Sequence, residues 1–336
     1  MPPPASMAGY RVGWICPLYT DMLAARAMLD EDYGMIRGHG QDTNTYAVGR
    51  IHDHYVVIAG LPAGFDGALT SASVVKDILR TFHELRFMML VGIGAGIPNP
   101  PVVDIRLGDV VIGQPAGSDA GVVQFNRGKN IPTSRFERKG MLFPPSHSLL
   151  TALTAQRAEH ELHGSRKICD FVAEMFNRYP NLKRDFSYPG LMYDRLFRLD
   201  YHHIKDQPTC QYCVREAEVP REARSNTGPA IHYGLIASGD QIIKDSFVRE
   251  FIRSSYGAMC VEMEAPGLMH NFPGLIIKGI SDYADSHRNE RWHKYAAAAA
   301  AACTKELLHY VSSVKIEQEA PIQAIIDDEG SQYLEN

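Results

Sequence analysis

The sequence predicts an α/β protein, a sandwich around one central sheet with a mainly helical insertion. Three observations lead there. Apolar runs of strand length alternate with amphipathic stretches of helical period from residue 10 onward. The alternation lapses between about residues 146 and 229, where the pattern turns helical and polar, and it resumes at Ile231. Acidic or glycine-rich segments close several of the apolar runs, at the strand ends where open α/β sheets place their ligands.

Taken in order, residues 1–9 are rich in proline and alanine and are expected to be disordered. Tyr10–Cys16 reads as a first strand that ends at Pro17. An amphipathic helix then begins at Asp21, carries Met22, Ala25, Met28 and Leu29, and is expected to stop near Gly34. Residues 46–51 and 55–59 flank Asp53 as a β-hairpin. The second of these runs into the loop 61–67, ahead of a helix over 68–82. Backbone N–H groups of such a loop can meet an anion or a ribose hydroxyl, or its glycines can serve a turn alone. Residues 87–91 form a continuous apolar run, read as a buried strand, and Gly92-Ile93-Gly94-Ala95-Gly96 follows.

A turn and strand are read over 104–112, with Arg106 and Asp109 as structural pairs near the surface. Arg127, Lys129, Arg135, Arg138 and Lys139 crowd together next. They read as a solvated face, or as counter-charges if a substrate carries phosphates. After the insertion come a strand over 231–237, Ser238-Gly239-Asp240, and a helix over 245–254. A second buried run, 275–280, ends on Ser281-Asp282, and a helix over 294–311 follows. Residues 316–336 are acidic and weakly hydrophobic, and a flexible tail is expected there.

Composition removes several classes of function. The chain has 336 residues, 45% hydrophobic and 22% charged, with a net charge of −5. That is globular composition with no electrostatic footprint for nucleic acid. No apolar run reaches the roughly twenty residues of a membrane span, and no secretory signal is visible. The six scattered cysteines suit reduced thiols in the cytoplasm. Cys210 and Cys213 form one CxxC, with His202, His203 and Cys169 upstream. A credible zinc site needs four ligands at compatible spacing. Ordinary thiols and no metal are therefore expected. His287 and His293 also lack a spacing that demands a metal.

The chemistry is densest at Cys260-Val261-Glu262-Met263-Glu264-Ala265 and at Gly279-Ile280-Ser281-Asp282. Carboxylates at the edge of apolar segments are costly to desolvate unless something pairs with them. The plain alternative is that Glu262 and Glu264 cap a helix starting at Ala265 and that Asp282 opens a turn. Three acids in two neighbouring segments favour a site.

Val-Glu-Met-Glu-Ala followed by Ile-Ser-Asp resembles the nucleoside phosphorylase/nucleosidase superfamily, nearest in pattern to methylthioadenosine/S-adenosylhomocysteine nucleosidases and hexameric purine nucleoside phosphorylases. From Val12 to about Val311 the chain is similar to the phosphorylase-like domain of many fungal proteins, some of them larger immune-receptor-like chains. The resemblance implies a three-layer αβα sandwich around a mixed sheet, spanning 10–315, and commonly a homo-oligomer. It implies no cofactor, and a purine nucleoside or nucleotide as the small-molecule partner.

By the same resemblance, Asp282 protonates the leaving purine and Glu264 holds the ribose hydroxyls and favours positive charge on the sugar. Asp21 stands where a glutamate activates water, one methylene shorter; as a helix N-cap it would need no such role. Met263, Glu262, Ile93, Gly94, Ile242, Ile243 and Ser281 are assigned to substrate binding, although methionine and the isoleucines equally suit the core. The arginine and serine that hold phosphate in the phosphorylases are replaced here by Leu90 and Ile93, which cannot hydrogen-bond it. Water is thus the expected nucleophile. The expected activity is a purine nucleosidase on an adenosine-type nucleoside or nucleotide, with ATP among the candidate substrates. A phosphorylase using Arg106 or a basic residue from elsewhere, and a nucleoside sensor without turnover, are the alternatives.

Overall fold

Strands that are apolar on both faces must be covered on both faces. The computed structural model, which describes residues 2–132, 135–224 and 227–326, shows how this chain does it. The elements run β1 (Val12–Cys16), α1 (Tyr19–Ala27), β2 (Glu31–Arg37), β3 (Thr45–Ile51), β4 (His54–Gly60), α2 (Gly67–Thr81) and β5 (Phe87–Gly96). There follow β6 (Val110–Gly113), β7 (Val122–Gln124), β8 (Gly128–Ile131), β9 (Arg135–Arg138), α3 (His147–His163), α4 (Arg166–Arg178) and α5 (Lys183–Phe186). The chain closes with β10 (Ile231–Gly234), β11 (Ile236–Ser238), α6 (Ser246–Tyr256), β12 (Cys260–Glu262), α7 (Ala265–Met269), β13 (Gly274–Asp282), α8 (His293–Tyr310) and α9 (Ser313–Gln318).

The main sheet has the order β10-β6-β13-β5-β1-β4-β3-β2, and β12, β11 and β7 branch from β5. Its centre, β13-β5-β1-β4, is parallel. β6 against β13 and the pairs β2–β3 and β3–β4 are antiparallel, so the sheet is mixed as expected. Side chains alternate across it with period two. Trp14, Met89, Leu275 and Ile277 pack under α1, α3, α4 and α8. Ile15, Met88, Leu90 and Ile276 face α2 and α7 on the other side. That makes the three layers.

The alanines of α8 let its backbone lie directly on β13. A Cβ on Gly279 would fall 2.0 Å from the Ala296 carbonyl oxygen, so only glycine permits the contact.

Several local expectations are corrected. The first helix stops at Ala27, not near Gly34, because residues 31–37 pair with β3 as an edge strand; Gly34 sits at its irregularity with φ of 92°. The run 231–237 is two strands, since β10 pairs with β6 while β11 turns away to β12 and β7. Arg106 and Asp109 are not at the surface but buried. Arg106 Nε donates to Asp104 at 2.8 Å, and Asp109 accepts from Arg224 at 2.6 Å and contacts His232 at 2.9 Å.

Of the stretch 146–229, α3 and α4 belong to the layer packed on α8, and residues 187–224 are irregular chain with short 3-10 turns. The beginning of the expected tail is packed: Ile316 and Ile322 are buried, and Ile322 N donates to Leu85 O at 2.8 Å. Residues 327–336 of that stretch lie outside the described residues. Within the expected disordered N-terminus, residues 7–9 form a 3-10 turn and Tyr55 donates to the Pro2 carbonyl. Among the described residues, no helix is long and apolar enough to cross a membrane.

Candidate active site

β5 and β13 run side by side, and their C-terminal ends open together. Ile93 is level with Gly279 and Gly94 with Ile280, and an irregularity before Asp282 brings it beside Ala95. β12 approaches antiparallel, with Val261 opposite Ala95, so Glu262 to Glu264 arrive at the same rim. The result is a cleft of about 660 Å³. Its walls include Ile93, Gly94, Ile242, Ile243, Met263 and Ser281, with Asp66, Glu262, Glu264 and Asp282 as the acids. Every substrate-binding residue expected from the sequence therefore lines one cavity, as do two of the three expected catalytic acids.

The acids are held by a lysine that sits inside an apolar run. Lys278 has 0% exposure, and its Nζ lies 3.0 Å from Glu262 Oε2 and 3.1 Å from Glu264 Oε2. Burial alone would lower its pKa, but Glu262 and Glu264 outweigh it and the ammonium is stabilised. Glu262 also accepts from the backbone N–H groups of Glu264 and Ala265 at 3.1 Å. Capping at the start of α7 is thus true of Glu262. Glu264 keeps its place on the cleft wall.

Asp282 is buried at the end of β13. Its Oδ1 accepts from Ala284 N at 3.0 Å, and its Oδ2 from the Ser281 hydroxyl at 3.1 Å. Burial raises its pKa, and Arg288, whose Nε lies 3.4 Å from Oδ2, opposes the rise.

Asp21 lies in the first turn of α1, three residues inside the helix rather than at its cap, and Oδ2 accepts from Leu18 N at 3.0 Å. Oδ1 has no protein partner among the described residues. Burial pushes its carboxyl up to about 7, with Leu18 N–H and Lys278 holding it back. A Cβ on Gly92 would fall 2.6 Å from Asp21 Oδ2, so the glycine makes the space this carboxyl occupies. Asp21 is beneath the strand ends and does not itself line the cleft.

Leu90 is buried in the core, and Ile93 faces the cleft. Neither Arg106 nor the basic run at 127–139 reaches it. Arg127 pairs with His270, Lys129 with Glu137 and Arg138 with Asp119; the side chain of Arg135 lies outside the described part. Three of the five basic residues thus have partners on the surface.

Cations arrive from another segment. Arg288, Arg291 and Lys294 border a second cleft with Leu18, Tyr19, Thr20, His293 and the acids Asp185 and Glu290; Lys294 is paired with Asp185 at 2.7 Å, and Leu18 and Arg288 are shared by the two cavities. Among the site residues that sequence reasoning missed are Arg288, Gln241 and Asp66 on the cleft wall and Lys278 behind its acids. Lys278 carried a usable signal, a lone charge within an apolar strand. Arg288 and Gln241 carried none.

A family model described as "Phosphorylase superfamily" matches residues 38–312. A nucleotide-binding leucine-rich repeat (NLR)-like protein of Hyaloscypha variabilis is 39% identical over 304 residues, which is 90% of this chain and 29% of that protein. An ATP nucleosidase of Escherichia coli is 37% identical over 89 residues, 25% of this chain and 18% of that one. The chain thus spans less than a third of the length of these curated relatives. Among solved structures, the futalosine hydrolase of Helicobacter pylori superposes with a TM-score of 0.56 at 15% identity, over 90% of this chain and 98% of that one. The 5'-methylthioadenosine/S-adenosylhomocysteine nucleosidase of the same organism gives 0.56 at 16%, over 89% and 98%. At such identities the likeness shows a shared fold.

Proposed function

The chain belongs to the phosphorylase superfamily, and from that premise we propose that it is a purine nucleosidase, hydrolysing the N-glycosidic bond of a purine ribonucleoside or nucleotide. The observation that carries the reading is the convergence of Asp282 and the Lys278-paired Glu264 on one cleft floored by Met263. Cleavage passes through a ribosyl cation, so it needs a protonated leaving base, a stabilised sugar and a nucleophile at C1'. Asp282, its pKa raised by burial, donates to a ring nitrogen of the purine. Glu264 binds the ribose hydroxyls and favours the cation. Asp21, with a carboxyl near 7, takes the proton from water.

The nucleotide form is favoured by Arg288, which lies beside Asp282 and borders both clefts. In an anti purine nucleotide, N7 and the 5' carbon lie on the same side of the glycosidic bond. A cation beside the acid that faces N7 is then within reach of a 5' phosphate. A phosphate that draws Arg288 towards itself weakens the largest of the influences opposing protonation of Asp282, while the Ala284 and Ser281 hydrogen bonds remain, so binding the tail favours arming the acid. The ATP nucleosidase among the relatives supports this choice of substrate class.

The test is to incubate the protein with adenosine, guanosine, inosine, methylthioadenosine and ATP, with and without phosphate, and to separate the products by chromatography. Free base released without phosphate, and lost in Asp282→Asn, supports the nucleosidase. Release that requires phosphate makes it a phosphorylase. Binding without release in wild type makes it a sensor.

A further inference from the structure

Residues 187–224 carry little apolar material of their own, with Leu196 buried in the main core and Tyr188 and Val219 packed against it. Their own nucleus is Phe197, Cys213 and Ala217, with Tyr201 and Cys210 packed against it. Segments with so small a core need another source of order. Within this one, the side-chain donor atoms of His203, Cys210 and Cys213 all lie within 4.8 Å of one another. The two cysteines flank a 3-10 turn closed by Cys213 N donating to Cys210 O at 3.0 Å, which aims both thiols to one side.

We propose that His203, Cys210 and Cys213, with His287 as the fourth ligand, form a structural zinc site that ties the irregular segment to the loop after β13.

Two thiolates and two imidazoles are the donor set of closed, tetrahedral zinc sites. The case for His287 is independent of the other three. Its ring nitrogens stand outside the 4.8 Å cluster of the other three, but it is 7% exposed and Nε2 has no partner among the described residues, an arrangement that costs free energy unless something binds there. Its ring stacks on Phe197 at 4.0 Å between centroids and meets the His203 ring edge-on at 5.4 Å. Its carbonyl lies 3.7 Å from the Cys210 sulfur. Nδ1 faces Asp285 Oδ1 at 3.4 Å, and Asp285 is in turn held by Arg249 at 3.2 Å. A carboxylate behind one nitrogen of a histidine orients the other towards a metal.

The ligand that the CxxC lacked in sequence comes from a segment remote along the chain, next to Arg288. Zinc here touches no substrate. It fixes the backbone from which Arg288 reaches Asp282.

The experiment uses the full chain, freed of any affinity tag, purified from zinc-supplemented culture without chelator and dialysed. Metal is measured by mass spectrometry per mole of protein. We expect close to one zinc per chain, released when the thiols are titrated with a mercurial. Exchange with cobalt should give the thiolate-to-metal charge-transfer band of a tetrahedral site. Cys210→Ser with Cys213→Ser should lose the metal. Asp285→Asn should weaken binding about 10–100-fold in a chelator competition, as removal of an outer partner does. Dialysed wild type without zinc overturns the proposal whether or not any variant folds. Zinc retained undiminished in the double cysteine variant overturns it as well. Unchanged affinity in His287→Gln removes His287 as the fourth ligand.

Discussion

Replacing Lys278 by methionine removes one charge from the centre of the site and keeps its volume. The ammonium lies 3.0 and 3.1 Å from two carboxylates, in a place with no access to water. Removing one partner of a buried ion pair costs about 3–5 kcal/mol, because the other charge is left uncompensated. Glu262 keeps its backbone donors at Glu264 and Ala265, which places the expected loss towards the lower end, about 3 kcal/mol. Set against a total stability of about 5–15 kcal/mol, this is a large fraction.

The loss also has a pH signature. Burial already raises the Glu262 carboxyl, and Lys278 is the main influence holding it down. Without the lysine the folded value climbs further above the unfolded one of 4.5. Such a carboxyl favours the folded state while protonated, and that stability is lost as pH rises through the folded value. The deficit of Lys278→Met should therefore be smallest near about pH 5 and largest near about pH 8. Urea unfolding at both pH values, read by circular dichroism with the slope m held common, measures it. A deficit below about 1 kcal/mol, or one that is the same at both pH values, would refute the assignment of Lys278 as counter-charge.

Three further outcomes are expected. Asp282→Asn cannot transfer a proton to the base, so kcat for base release should fall about 10²–10⁴-fold, with substrate binding by calorimetry largely retained. For Asp21, whose carboxyl is pushed to about 7, kcat should rise with pH through that value, and Asp21→Asn should abolish this limb. In stability the sign runs the other way: the folded state holds the proton between 3.8 and about 7, so stability falls over that range and Asp21→Asn should melt no lower than wild type near about pH 8. Arg288→Met should cost a nucleotide substrate one charged hydrogen bond, about 1.5–3 kcal/mol or about 10–150-fold in kcat/KM, while adenosine loses far less. Steady-state kinetics on both substrates decides it.

The acids of the site were legible because each breaks a local pattern. Glu262, Glu264 and Asp282 interrupt or end apolar segments, and the structure gathers all three on one rim. Asp21 was legible as a strand-end acid, although its place inside the first turn of α1 depends on where the helix begins, which the pattern puts too late. The start of the edge strand, residues 31–34, reads as helix because its polar, half-exposed residues show no period-two signal, and pairing with β3 decides its conformation. The basic run at 127–139 drew attention by density alone. Lys129 and Arg138 meet carboxylates, and Arg127 meets His270, partners that only the folded chain provides.

Sequence by itself determined the α/β layering, since strands apolar on both faces leave no alternative to helices above and below. It also determined which acids must find partners, because their burial follows from their neighbours. Tertiary structure alone decided what those partners are. Lys278 reaches Glu262 and Glu264 because β12 comes to lie across the end of β5, next to β13. Arg288 meets Asp282, and His287 meets His203, because the chain after β13 folds back over its own end. Periodicity reports which face of an element is buried. It carries no information about which charge will lie opposite, since that depends on the packing of elements far apart in the chain.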